Sequence, residues 1–150
     1  MIELKWNYKS FNELSVSELY DILKLRSEVF VVEQNCVYLD MDDKDQSSYH
    51  FCGWLDDKLV AYVRIIPPGI AFKEASIGRV STSLSYRKNG TGRVLMQKAI
   101  DLTLKQFEDA GIQIGAQLYL DKFYSSLGFH QVGEGYMEDG IPHIHMLFSK

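Results

Sequence analysis

Cysteine is scarce: Cys36 and Cys52 are the only two. They make no Cys-x-x-Cys, so the chain offers neither a disulfide framework nor a paired-cysteine zinc site, and reduced thiols are expected. Proline occurs 3 times, with no proline-rich linker. No repeat or low-complexity tract interrupts the chain, so 150 residues read as a single domain, 1–150. No apolar run is long enough for a membrane helix, and Met1-Ile-Glu-Leu-Lys-Trp6 lacks the plan of a secretion signal. A cytoplasmic protein without membrane partners is expected. Positive charge is also short: 16 Lys and Arg against 20 Asp and Glu give a net charge of −4. Nucleic acid demands a basic face, so it is not an expected partner. Apolar residues, at 46%, are enough for a real core.

Periodicity supplies the elements. Ile2, Leu4, Trp6 and Tyr8 alternate with polar residues, as in a half-buried strand. Ser15-Val-Ser-Glu18 is a capping box, and it opens a helix with Leu19, Ile22, Leu23, Arg26, Val29 and Phe30 at helical spacing. Tyr49 to Leu55 and Leu59 to Ile66 form a hairpin around Asp56-Asp57-Lys58. A strand over Ala75 to Ser83 precedes a helix from Thr91 to about Asp109, burying Val94, Leu95, Ala99, Leu102 and Leu104 or Phe107 and stopped by Gly111. Ile112 to Leu118 is a strand and Leu120 to Leu127 a short helix. A last hairpin pairs Phe129–Tyr136 with Pro142–Phe148 around Asp139-Gly140. This order predicts an α/β (α+β) fold with one mixed sheet of about six to seven strands and helices packed on it.

The acidic segment from Glu33 to Gln46 invites a calcium reading. With Asp40 as position one, however, Lys44 falls where an oxygen ligand belongs and Asp45 where the turn glycine belongs. Two readings remain open: a solvated surface loop, or a cleft wall that attracts cations. His143-x-His145 puts two imidazoles on one strand face, but zinc needs three or four ligands and no partner is evident. No metal is expected.

The most informative stretch runs from Ile77 to Ile100: a strand, a turn rich in glycine and basic residues, then a helix. Arg87-x-x-Gly90-x-Gly92 leaves backbone N–H groups unshielded at a helix N-terminus, which is an anion site. Lys88 and Arg93 add charge. A P-loop is excluded, since Gly-x-x-x-x-Gly-Lys-Ser/Thr is absent, and a Rossmann turn is excluded because Arg87 replaces its first glycine.

Val80-Ser-Thr82 followed by Arg87-x-x-Gly90-x-Gly92 resembles motif A of the GNAT acetyltransferases, and Phe123-Tyr-Ser-Ser-Leu-Gly-Phe129 resembles their motif B. Thr82 departs mildly from the usual last strand residue but keeps its β-branched shape. Further segments are similar to the ElaA-type branch of that family: Leu25-Arg-x-x-Val-Phe-Val-Val-Glu-Gln34, Ile77-Gly-Arg-Val80, Ala116-Gln-x-Tyr-Leu120 and Glu138-Asp-Gly-Ile-Pro-His143. The likeness spans nearly the whole chain. It implies a GNAT-like sheet splayed between the fourth and fifth strands, with helices on both faces, and acetyl-CoA as cosubstrate. Val80, Ser81 and Thr82 would pair with the pantetheine arm. Arg87, Lys88, Asn89, Gly90, Thr91, Gly92 and Arg93 would hold the pyrophosphate, and Tyr124 would stand at the thioester sulfur.

The implied reaction is direct attack of a primary amine on the acetyl carbonyl. It needs a base for the amine, a donor for the oxyanion, and a proton or hydrogen bond for the leaving thiolate. Tyr124 is the expected acid; Glu33, His143 and His50 are candidate bases. A strand N–H near Val80 or Thr82 is the expected oxyanion donor. Neither cysteine has an evident partner base, so a covalent route is not expected. The chemistry leaves the amine unnamed, whether small molecule or peptide, and an exposed sheet edge leaves room for a homodimer. Two other readings stand beside the enzyme: a non-catalytic CoA-binding or acyl-CoA-binding module with the same fold, and an interaction protein with a vestigial cleft.

Overall fold

The computed structural model describes residues 3–87, 90–108 and 110–149; Ile2, Lys88, Asn89 and Asp109 of the expectations above lie outside them. Among the described residues seven strands form, in the number expected, but in two antiparallel sheets. The N-terminal sheet has the order β1 (Lys5–Ser10), β2 (Tyr49–Leu55), β3 (Lys58–Ile66), β4 (Ser76–Thr82). In the C-terminal sheet β7 (Ile141–Phe148) lies between β5 (Gln113–Gln117) and β6 (Phe129–Glu138). One parallel bridge, Ala75 to Ile112, joins the two sheets.

Helices α1 (Val16–Ser27) and α2 (Thr91–Gln106) cover opposite faces of the N-terminal sheet. Ile22, Leu25 and Val29 pack with Cys52, Leu59 and Tyr62. Leu95, Met96, Ala99 and Ile100 pack with Phe51, Ala61, Val63 and Ile65. Strand β3 is therefore buried on both faces, which explains its almost unbroken apolar sequence. The α2 cluster also includes Ile114, Phe129, Ile144 and Met146, so one core spans both sheets. The expectation for Val94 is corrected: it is 47% exposed. The buried stripe is Leu95, Met96, Ala99, Ile100 and Thr103, and Val94 lies just off it.

The capping box closes as predicted. The Glu18 N–H donates to Ser15 Oγ at 3.0 Å and the Ser15 N–H to Glu18 Oε1 at 2.8 Å. Beyond Ser27 the chain continues as a turn of π-helix, Glu28–Glu33. In the last hairpin Asp139 and Gly140 both take positive φ, 51° and 76°, as a two-residue turn of this kind requires.

The acidic segment is not a freely solvated loop, since Asp40 and Asp45 are buried. Three arginines from three elements hold it. Arg26, fully buried on α1, donates to Asp40 Oδ2 and Asp45 Oδ1, both at 2.7 Å. Arg64 on β3 donates to both oxygens of Asp42, at 2.7 and 2.8 Å, and to Asp45 Oδ1 at 2.9 Å. Arg79 on β4 donates to the Asp40 carbonyl at 2.9 Å, and its Nε lies 2.8 Å from Asp40 Oδ1 in an ion pair without hydrogen-bond alignment. Burial alone would raise the Asp42 and Asp45 carboxyls; Arg64 at Asp42, and Arg26 with Arg64 at Asp45, outweigh it and hold both below the usual range.

His50 closes the inner end of this network. Its Nε2 faces the Asp45 carbonyl at 3.0 Å, and its Nδ1 faces the Tyr62 hydroxyl at 2.7 Å. A carbonyl only accepts, so Nε2 carries the proton and Nδ1 accepts from Tyr62. Burial pushes this imidazole below its ordinary 6.5. His50 is thus a neutral core residue, which removes it as a candidate base.

Acid should therefore unfold the protein in two stages. Both kinds of group have depressed folded pKa values, so their stabilisation is complete above the unfolded value and is lost as pH falls. His50 acts first, below about pH 6.5, at up to about 1.4 kcal/mol per pH unit. The aspartates follow below about pH 4. Urea unfolding of His50→Gln across this range should lose the first stage and keep the second; an unchanged slope between pH 6.5 and 5 would refute the assignment. Arg26→Met should cost about 3–5 kcal/mol by leaving buried carboxylates short of a partner, read as a lower urea midpoint at constant m-value.

Candidate active site

The site begins where strand pairing stops. At the bridge, the Ala75 N–H donates to the Gly111 carbonyl at 3.2 Å and the Gln113 N–H to the Ala75 carbonyl at 2.9 Å. Past it, β4 and β5 separate, leaving one edge of β4 without a neighbouring strand. The Ser83 N–H donates to the Val60 carbonyl at 2.8 Å. By alternation Ser81 also faces β3, while Val80 and Thr82 turn their backbone groups into the gap. Ser81 spends its hydroxyl on the Arg79 carbonyl at 2.9 Å. Of the three expected strand residues, then, only Val80 and Thr82 present backbone to the cleft. A bulge precedes them: Arg79 and Val80 together face Val63, and Arg79 takes a left-handed φ of 53°.

The gap opens into a cleft of about 610 Å³. Its walls are β4, β5, the π-helical turn, the acidic loop and the β6–β7 hairpin. Arg87, just ahead of α2, lines the cleft, and α2 then opens with Gly90 at φ 71° as N-cap, its carbonyl accepting from the Val94 N–H at 3.2 Å. No atom lies within 4 Å of where a Cβ would stand on Gly90 or Gly92. The backbone there is open to a bulky anion at the positive end of a 16-residue helix, so the residues present fit the pyrophosphate of a CoA.

Arg87 and Arg93 point elsewhere. Arg87 forms a two-pronged pair with Glu33, 2.5 Å to Oε2 and 2.7 Å to Oε1, and also donates to the Thr82 carbonyl at 3.0 Å. The hydrogen bond to Glu33 raises the Arg87 pKa. Arg93 reaches α3 (Asp121–Ser125), donating to Ser126 Oγ at 2.8 Å with its guanidinium over the Phe123 ring. It ties the glycine turn to the helix that carries Tyr124.

Tyr124 lines the cleft from α3, nearly buried and edge-on to Phe123 and Phe129. Burial, with Tyr119 adding to it, pushes its hydroxyl up to about 12, so it stays protonated at neutral pH. His143 on β7 lines the cleft too. Its Nδ1 lies 2.7 Å from the Ile141 carbonyl, which fixes the proton there and leaves the Nε2 lone pair free to accept. Glu138 Oε2 is 3.6 Å from that Nε2, and the Tyr136 ring stacks on the imidazole. Across the cleft, Gln117 Nε2 donates to Gln34 Oε1 at 3.3 Å, linking β5 to the end of the π-helical turn.

Three expected site residues therefore share one cleft: Tyr124, Glu33 and His143. Sequence reasoning did not find the second partners, namely Arg79 in its bulge, Gln117, and the arginines behind the acidic loop. One signal was available. Arg26 sits among apolar residues at core spacing and Arg64 inside an apolar strand, and buried arginines need acidic partners. Cys52 is fully buried with its thiol pushed up to about 12 by burial, which suits packing rather than nucleophilic attack. Among the described residues no cluster of three or more His, Cys, Asp or Glu gathers to hold a metal, and no helix is long and apolar enough to cross a membrane.

Comparison with known proteins shows the family and the fold. The family model of the acetyltransferase (GNAT) domain matches residues 13–150. Protein ElaA of Escherichia coli is 44% identical over 145 residues, 95% of this chain and 95% of that one. A UPF0039 protein of Synechocystis is 42% identical over 148 residues, 98% and 96% of the two chains. Among solved structures, an acyl-CoA N-acyltransferase from Pseudomonas aeruginosa superposes with a TM-score of 0.94 at 38% identity, covering 98% of this chain and 100% of that one. The crystal structure of E. coli ElaA gives 0.91 at 42%, covering 97% and 99%. A GNAT acetyltransferase from Elizabethkingia anophelis with acetyl-CoA bound shares the fold at 14% identity, with a TM-score of 0.67 over 100% of both chains. The chain belongs to the GNAT acetyltransferase family, in its ElaA-type branch.

Proposed function

We propose that the protein transfers an acetyl group from acetyl-CoA to a primary amine by direct attack. One observation carries this reading: the free edge of β4 runs from a bulge to an open glycine turn at a helix N-terminus, and Tyr124 and His143 line the same cleft. Acetyl-CoA supplies an acyl carbonyl activated as a thioester. The backbone of Val80 and Thr82 pairs with the pantetheine arm. The N–H groups from Gly90 to Arg93 hold the pyrophosphate, with Lys88 and Asn89, which precede them in the sequence, expected to contribute as well.

His143 is the base. The geometry favours it over Glu33, whose two oxygens are both held by Arg87. The Nε2 lone pair takes the amine proton, directly or through one water, and Glu138 lies beside the imidazolium that results. The Val80 N–H donates to the oxyanion. Tyr124 faces the leaving sulfur. Its pKa of about 12 is some 3.5 units above an ordinary thiol, roughly 8.5, so it stabilises the thiolate by a strong hydrogen bond and does not surrender its proton outright. A cytoplasmic location follows from the use of acetyl-CoA, and the outer edges of β1 and β6 are surfaces through which a second copy could pair.

Saturating acetyl-CoA should raise thermal stability, by about 2.7 kcal/mol at a hundredfold excess over Kd. Gly92→Trp should abolish that rise while staying folded. No rise in the unaltered protein would overturn the reading. Thiol release with a panel of amines should follow: Tyr124→Phe and His143→Gln should each lower kcat by about 10²-fold or more. If His143→Gln leaves kcat unchanged, the base assignment is wrong.

A further inference from the structure

Gly78 stands in the middle of β4, where glycine weakens a strand, and the backbone gives no reason for it. The left-handed position of the neighbouring bulge is taken by Arg79, at φ 53°, while Gly78 has no positive φ. Packing gives no reason either: no atom lies within 4 Å of where its Cβ would stand. Gly78 lines the cleft. The missing side chain therefore leaves a hollow open to ligand.

The register locates that hollow. Gly78 pairs directly with Arg64, so the two share a face, and Arg64 reaches from that face to Asp42 and Asp45. Ile77, on the opposite face, belongs to the core under α2. The hollow thus lies toward the acidic loop, whose Tyr38, Asp42 and Lys44 line the cleft. Along β4, Gly78 is two residues beyond Val80, about 7 Å further from the glycine turn. A thioester held beside Val80 would end short of it.

We infer that the hollow over Gly78 receives the body of the amine acceptor, that this body carries hydrogen-bonding groups, and that the missing side chain sets how bulky it can be. This rests on the transferase reading above. The walls decide between the two substrates. An aliphatic acyl tail would strip water from half-buried Lys44 and from the part of Asp42 that Arg64 leaves exposed without replacing its hydrogen bonds, whereas a polar amine replaces them.

The test compares Gly78→Ala and Gly78→Val with the unaltered protein. Glucosamine and lysine serve as polar amines, hexylamine as an aliphatic one, and acetyl-CoA and butyryl-CoA as donors. A strand accepts valine readily, so both variants should fold and keep the thermal shift with acetyl-CoA. The unaltered protein should favour the polar amines. Valine should raise their KM about tenfold or more, alanine less, with the acetyl-to-butyryl ratio unchanged. Selective loss of butyryl transfer would assign the hollow to the acyl tail and overturn the inference, as would an unchanged acceptor KM or a preference for hexylamine. If the unaltered protein releases no thiol with any amine although it binds acetyl-CoA, the transferase reading itself fails and the inference goes with it.

Discussion

The constraint on which the molecule depends is the failure of β4 and β5 to pair. Two neighbouring strands would ordinarily satisfy each other's backbone, and here they meet at a single bridge and then part. The cost of an unpaired edge is contained because the cores on either side are continuous: α2 packs against both sheets, so the gap does not divide the domain. The bulge at Arg79 adds to the effect by putting two β4 residues against one on β3. A sheet built this way keeps its hydrogen-bonding groups available to an extended ligand.

The other wall of the cleft is made by electrostatics. The segment between the π-helical turn and β2 has little regular structure, and three buried or half-buried guanidinium groups give it shape. Their carboxylate partners lose the hydration they would have in water, and the arginines outweigh that loss in holding the carboxyls ionised. The same pairing changes what the loop can do to a ligand. Asp40, Asp42 and Asp45 look like a cation trap in the sequence, but their charge is largely cancelled inside the fold. The reading of this segment as a wall that attracts cations therefore loses its basis.

Much of this was legible in the sequence where a local rule decides the outcome. The Ser15 capping box, the Asp139-Gly140 turn, the glycine turn before α2 and Tyr124 on its short helix are each specified within a few residues. Legibility failed where partners come from distant parts of the chain. Arg87 with Glu33, and Arg26, Arg64 and Arg79 with their aspartates, are joined only by tertiary structure. Val94 was misjudged because a helical stripe can be shifted by one residue without changing its apolar count. The division of Val80 and Thr82 from Ser81 depends on which side β3 lies, which no local pattern fixes.

The loop's anchors alternate with residues that point out. Asp40, Asp42 and Asp45 are tied inward, whereas Val37 is 99% exposed, Leu39 74% and Met41 50%. Substitutions at the outward positions touch little that holds the fold, and such changes are usually worth less than about 0.5 kcal/mol. The rim of the cleft can therefore vary while its supports stay fixed. The residues that keep the chain folded are thus separate from those that face outward, within one stretch of loop.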